Sequence, residues 1–221
     1  MAARTPHPAS DVTGAAITFT ATTCRYGRRT AVDAVDLSVR PGERVALTGA
    51  NGSGKTTLLR AALGLHPISA GTITVGGSTA GSAAQWAHRR RTIAWMPQRL
   101  TPGRFPLLVD ELLHSSGHRQ AADHAAARLG VASLHDRPLH TLSGGQLQRV
   151  FLARAVGAVE AGATALFADE PTAALDFAGQ EQVAALLTAL PVTVIVVSHD
   201  RAMTGACDRV AEMAAGRLRV I

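Results

Sequence analysis

The sequence predicts an α/β protein with a largely parallel sheet, and three observations carry that prediction. Two short apolar runs, ATALFADE at 163–170 and VTVIVVSH at 192–199, have the continuous character of strands buried on both faces. Runs of this kind alternate with stretches of helical periodicity along the chain. A glycine-rich loop, GANGSG, joins one apolar run directly to a predicted helix.

Taken in order, AITFTAT (16–22) alternates like a half-buried strand. AVDLSV (34–39) and RVALTG (44–49) follow, the second ending in the glycine loop. A helix runs from Lys55 to about Leu63 and is stopped by Gly64 and Pro67. TITVGG (72–77) reads as a strand and turn, and TIAWMP (92–97) as another strand. Between Phe105 and Val159 the pattern is mostly helical, in VDELLHSS, QAADHAAARLG and SGGQLQRVFLARAV, which predicts an inserted helical lobe over about 101–158. GQEQVAALLTAL gives a helix between the two apolar runs, and a weaker strand closes the chain from Arg217 to Ile221.

A chain of 221 residues that is 47% hydrophobic fits one domain, or one core with an inserted lobe. The formal charge of +6 would suit nucleic acid or an anionic membrane face, but the arginines are scattered, so no nucleic-acid partner is expected. Arg89, Arg90 and Arg91 form a run of three that reads as a solvated helix face. Cys24 and Cys207 lie far apart and read as free thiols. The first fourteen residues, small and polar without an apolar h-region, read as a disordered tail, leaving 15–221 as the domain. The stretch from Ala61 to His88 carries no Asp, Glu, Lys or Arg, yet its glycines and Pro67 disqualify it as a membrane span. Histidines at 114, 118, 124, 135 and 140 invite a metal-binding reading, but Gly117 interrupts any helical 114/118 pair, and exposed non-ligand histidines are the expectation.

Lys55 is the single lysine among twenty-two basic residues. With Gly49, Gly54 and Thr56 it satisfies G-x-x-x-x-G-K-[ST], between a predicted strand and a predicted helix. Glycine lets the backbone turn tightly so that amides converge on phosphate oxygens, while the helix N-terminus adds its positive end. Lys55 then reaches the outer phosphates and Thr56 places its hydroxyl on Mg²⁺. A compact ammonium suits that loop better than the planar fork of arginine.

Other residues fit the same chemistry and each has a plainer alternative. Asp169 ends an apolar run, where a carboxylate can hold Mg²⁺ directly or through water, and Glu170 can act as general base, although paired acids there also cap helices. Ser143, Gly144 and Gly145 open a helix and can offer a hydroxyl, amides and a dipole end to phosphate; alone they would be a cap or turn. His199 reads as a core histidine or a phosphate contact, Tyr26 as edge packing or a stacking face for a base, and Gln98 as a surface amide or a contact to Mg²⁺ or water.

The ensemble resembles the ATP-binding cassette (ABC) ATPases. LSGGQ at Leu142 to Gln146, followed by LQRV, is similar to the family's signature, FADEP at Phe167 to Pro171 to its Walker B segment, and AALD at Ala173 to Asp176 to its D-loop. Gln98 fits the Q-loop, His199 the H-loop, and Tyr26, twenty-nine residues before Lys55, the aromatic A-loop. The resemblance implies a RecA-like P-loop core with an N-terminal antiparallel β subdomain and an inserted helical subdomain. It implies ATP and Mg²⁺ as ligands, cradled by Tyr26 and by Gly49, Asn51, Gly52, Ser53, Gly54, Lys55, Thr56 and Thr57, with Thr56, Gln98 and Asp169 on the metal. Glu170, His199, Gln98 and Lys55 are then the catalytic set.

Two cassettes of this family pair head to tail, so Ser143, Gly144, Gly145, Gln146 and Asp176 would act on the partner's ATP in a homodimer or cassette pair. The resemblance further implies an ATPase on the cytoplasmic face of a membrane, separate integral permease subunits, coupling through the region from Gln98 to Leu113, and an extracytoplasmic substrate-binding protein. MPQRLTPGRFPLLVDELL is locally similar to the zinc/manganese importer subfamily; another importer, an exporter or a soluble ABC ATPase are the alternatives. Two departures from the family pattern stand out: GAVEAGATA before the Walker B segment is a few residues longer than is usual, and Ala168 is small for its strand position.

Overall fold

The computed structural model describes residues 13–98 and 106–221. The expected tail lies almost wholly outside the described residues, as do residues 99–105 of the metal-importer-like run.

The chain begins with β1 (Ile17–Tyr26) and β2 (Arg29–Val39), followed by β3 (Arg44–Thr48), α1 (Lys55–Ala62) and β4 (Ala70–Val75). β1 pairs antiparallel with both β2 and β4, giving a three-stranded sheet in the order β2-β1-β4. Next come α2 (Ala83–Thr92), β5 (Ile93–Met96), α3 (Val109–His114), α4 (Arg119–Arg128) and α5 (Gly144–Glu160), with 3₁₀ turns at Ala132–Leu134 and Leu139–Thr141. β6 (Ala165–Asp169), α6 (Phe177–Thr188), β7 (Thr193–Val197), α7 (Arg201–Ala206), β8 (Arg209–Ala214) and β9 (Arg217–Val220) complete the chain. The second sheet runs β5-β6-β7-β3-β8-β9, parallel except for β9.

Every residue of β6 and of β7 is buried, which is why both read as unbroken apolar runs. Alternate residues face two separate cores. Leu166, Ala168, Val194 and Val196 pack on the side of α5 and α6, where both α3 and α4 lie against α5. Phe167, Ile195, Val197, Val45 and Leu47 pack on the other side with α1 and the antiparallel sheet, including Phe19 and Val32. Ala168 is fully buried in the core on the side of α5 and α6.

The GAVEAGATA segment forms the last turn of α5, which continues to Glu160, and the short connection to Ala165. At Gly157 a Cβ would lie 2.7 Å from the Cα of Ala122, so the glycine lets α4 approach α5 closely.

One sequence expectation is corrected at Arg89. Arg90 and Arg91 are exposed, but Arg89 is buried: its guanidinium donates to the carbonyls of Ile73 (3.3 Å) and Ser78 (2.6 Å) and lies 5.1 Å from the Trp86 ring. A run of three on a helix spans most of one turn, and one member of this run faces the antiparallel sheet.

Candidate functional site

The site grows from the C-terminal ends of β3, β6 and β7, which are neighbours in the parallel sheet. After Thr48 the chain turns through Gly49, Gly52 and Gly54, with φ of 121°, 79° and 112°. A Cβ at Gly49 would stand 2.0 Å from the Met213 carbonyl oxygen, and one at Gly54 would stand 2.2 Å from that of Ala31. Both positions therefore require glycine on conformation and on space. Gly54 caps α1 without a side-chain hydrogen bond, which leaves the amides of the first turn turned toward a ligand.

Lys55, only 6% exposed, folds back over this loop. Its Nζ donates to the carbonyl oxygens of Gly49 and Ala50. Burial holds the ammonium below the usual lysine range, with Glu170 and Asp169 acting in the opposite direction. Beside it, Thr56 Oγ1 donates to Asp169 Oδ2 at 2.6 Å, while Asp169 Oδ1 is buried without a partner. Burial raises the Asp169 carboxyl above its ordinary range, opposed by Thr56 and then by Lys55 and Arg60.

Glu170 adopts φ of 54°, a left-handed conformation uncommon for a non-glycine residue. Its N–H donates to the Val197 carbonyl (2.8 Å), and its own carbonyl accepts from Gln148 Nε2 (2.8 Å). These two bonds hold the unusual turn, so that the carboxylate departs from the line of Asp169 and lies 3.5 Å from His199 Nε2. Burial pushes the Glu170 carboxyl upward, and His199 draws it partly back.

A cleft of about 580 Å³ gathers most of the predicted residues: Tyr26, the loop from Asn51 to Thr57, Gln98, Asp169 and Glu170. Tyr26 is half-exposed at the end of β1, its ring centroid 4.4 Å from that of His66. Ser143, Gly144, Gly145, Gln146 and Asp176 do not line this cleft. Ser143 caps α5 reciprocally with Gln146: Gln146 N–H donates to Ser143 Oγ (3.2 Å), and Ser143 N–H to Gln146 Oε1 (3.0 Å). Asp176 caps α6 by accepting from Gly179 N–H at 2.9 Å. The plainer reading of Ser143, a helix cap, is thus realised, and Asp176 also caps a helix. Ser143 and Gly144 remain exposed, and a Cβ on Gly144 or Gly145 would touch Ala174 at 3.5 or 3.4 Å, so the turn before α6 packs beneath them.

Sequence reasoning missed Arg29, which lines the cleft, His66 beneath Tyr26, and Gln148 on Glu170. Gln148 had a visible signal, a glutamine one turn along the helix from Gly144; Arg29 opens β2 and His66 lies in a bend after α1, and neither had one.

Residues 32–173 match the family model described as ABC transporter. The chain belongs to the ABC transporter family. The chain is 38% identical over 176 residues to the zinc import ATP-binding protein ZnuC of Pseudomonas savastanoi pv. phaseolicola, covering 76% of this chain and 61% of the relative. It is 40% identical over 209 residues to the hemin import ATP-binding protein HmuV of Streptomyces coelicolor, covering 87% of this chain and 72% of that relative. The chain therefore spans less than two thirds of the first relative's length. Among solved structures, a dimeric bacterial ABC transporter cassette superposes with a TM-score of 0.84 at 25% identity, covering 92% of this chain and 96% of that one.

Proposed function

We propose that this ABC ATPase hydrolyses ATP in the cleft around Lys55, as one half of a head-to-tail pair that drives a separate membrane permease. The observation that carries the reading is the placement of Glu170: a carboxylate held on a left-handed residue, beside His199 and next to the Thr56–Asp169 pair.

ATP would lay its phosphates on the amides of the glycine loop and the first turn of α1, while its base stacks on Tyr26, displacing or sharing the face now used by His66. Lys55 would exchange the carbonyls of Gly49 and Ala50 for phosphate oxygens. The pair of Thr56 and Asp169 suits Mg²⁺: a hydroxyl faces a carboxylate, and the second carboxylate oxygen is buried and unpartnered. Mg²⁺, when bound there with Gln98 at the rim, neutralises charge on the phosphates. Glu170 takes the proton of the attacking water, ADP departs as leaving group, and His199 orients the carboxylate and the terminal phosphate.

The exposed Ser143 cap would supply its hydroxyl and amides to ATP held by a second copy, with Asp176 close to the seam. No helix of the described residues is long and apolar enough to cross a membrane. Integral permease subunits at the cytoplasmic face, with an extracytoplasmic binding protein, complete the system in this reading. The zinc-import relative and the run at 96–113 support a metal-ion importer of the zinc/manganese type. The hemin-import relative, which covers more of the chain, supports a second cargo.

Glu170→Gln tests the engine. This variant is expected to keep ATP affinity, lose at least about 100-fold in turnover, and accumulate a species of twice the mass with ATP but not ADP, measured by light scattering. Undiminished hydrolysis would refute the assignment. Cellular uptake of zinc and of hemin, with and without the subunit, discriminates the two cargoes.

A further inference from the structure

Away from the nucleotide cleft, ligating side chains converge on the helical lobe. Asp110 and His114 stand one turn apart on α3, and His135 follows the 3₁₀ turn Ala132–Leu134. Both imidazoles turn Nδ1 toward the Asp110 carboxylate: His114 lies 3.1 Å from Oδ2 and His135 3.1 Å from Oδ1. One donor atom from each of Asp110, His114 and His135 can be chosen so that all three lie within 4.8 Å of one another. On the far side of His114, Nε2 lies 2.8 Å from Oδ1 of Asp123 on α4. His118, His124 and His140 are exposed as expected, whereas His114 and His135 are partly buried and paired.

The backbone braces this cluster. The N–H of Asp110 donates to the carbonyl of His135 (3.0 Å), and that of Val109 to Arg137 (3.0 Å). Two of the donors are thereby fixed across a long sequence gap before any ligand arrives. A tetrahedral ion with bonds near 2.0–2.1 Å needs donors roughly 3.3 Å apart; each imidazole Nδ1 already lies 3.1 Å from one oxygen of Asp110, His114 from Oδ2 and His135 from Oδ1. The outer nitrogen of His114 has the carboxylate partner that metal-bound imidazoles ordinarily have. Arg119 reaches Asp110 at 3.6 Å and Asp123 at 3.9 Å, but its side chain is 73% exposed and free to swing aside.

We propose that Asp110, His114 and His135 form a binding site for a divalent transition-metal cation of the zinc class, with Asp123 orienting His114. Two imidazoles and one carboxylate select such a cation over Mg²⁺ or Ca²⁺, which prefer all-oxygen shells. The site lies apart from the ATP cleft and does not depend on which cargo the transporter moves.

The test uses tag-free, metal-stripped full chain without nucleotide or Mg²⁺, titrated with zinc chloride against a chromophoric chelator and separately with Co²⁺. One Zn²⁺ per chain is expected, with Co²⁺ giving the visible absorption of tetrahedral nitrogen–oxygen ligation. The His114→Ala/His135→Ala double variant should weaken binding at least about 100-fold, Asp123→Asn about 10-fold, and His118→Ala/His124→Ala not at all. His135→Gln, which can still hydrogen-bond Asp110, should keep the native melting temperature yet lose the metal. Equal zinc stoichiometry in the double variant, or no binding tighter than about 100 µM, would overturn the proposal, leaving a polar cross-link between helices.

Discussion

The hydroxyl of Thr56 and the carboxylate of Asp169 meet at 2.6 Å across 113 residues of sequence, joining the start of α1 to the end of β6. The second oxygen of Asp169 stays buried and unpartnered, so the pair is shaped for something that accepts an additional electron donor.

Asp169→Asn keeps that shape and removes the charge. Turnover should fall about 100-fold or more, and the Mg²⁺ concentration for half-maximal activity should rise. Thr56→Ser should keep most activity and Thr56→Val little. ATPase rates against Mg²⁺ concentration read all three; a D169N enzyme with an unchanged Mg²⁺ dependence would refute the metal assignment.

Lys55→Arg retains charge but not shape. The ammonium sits within reach of two loop carbonyls, Gly49 and Ala50, and a planar guanidinium cannot occupy the same space. ATP affinity is expected to fall at least about tenfold with turnover lost. Equilibrium binding of a fluorescent ATP analogue checks the first, and wild-type affinity would contradict the argument.

The acidic limb of the turnover profile should lie high. A general base must be ionised, and burial raises the Glu170 carboxyl above the ordinary glutamate value of 4.5. Activity is therefore fully present above the raised value and lost as pH falls through it. Bound nucleotide phosphates push in the same direction. The maximal rate measured against pH at saturating ATP should fall along an acidic limb that lies above the ordinary glutamate value of 4.5; a limb at or below that value would remove Glu170 from the role.

Gly157→Val should destabilise the lobe without touching the cleft. The new Cβ would collide with Ala122 at 2.7 Å and force α4 from α5. Overpacking of this kind costs roughly 1–3 kcal/mol, which lowers the melting temperature by several degrees in a chain of this size. Calorimetry decides; an unchanged transition would show that the helices have room.

The elements that carry the nucleotide cleft were legible because local and tertiary demands agree there. Gly49 and Gly54 are dictated by conformation and by the approach of another backbone, while β6 and β7 are apolar throughout because both faces are buried. Elements whose identity depends on distant neighbours were not legible. β8 mixes Glu212 among Val210, Ala211 and Met213 and becomes a strand between β3 and β9. α2 carries little apolar surface, and its capping box of Ser82 and Gln85 was the available signal. In the sequence the histidines read as exposed non-ligands, because Gly117 interrupts a 114/118 pair and the meeting of His114 and His135 on Asp110 depends on a turn that sequence spacing does not reveal.

Gln148 fixes the carbonyl of Glu170 from the same helix that presents the exposed Ser143. In the proposed head-to-tail pair, the element that would meet a neighbour's nucleotide is thus bonded to the residue proposed as the subunit's own proton acceptor. Neither reaction centre would then fire in isolation: occupancy on one side of the seam sets the readiness of the other, and the pair would turn over as a coupled two-stroke device.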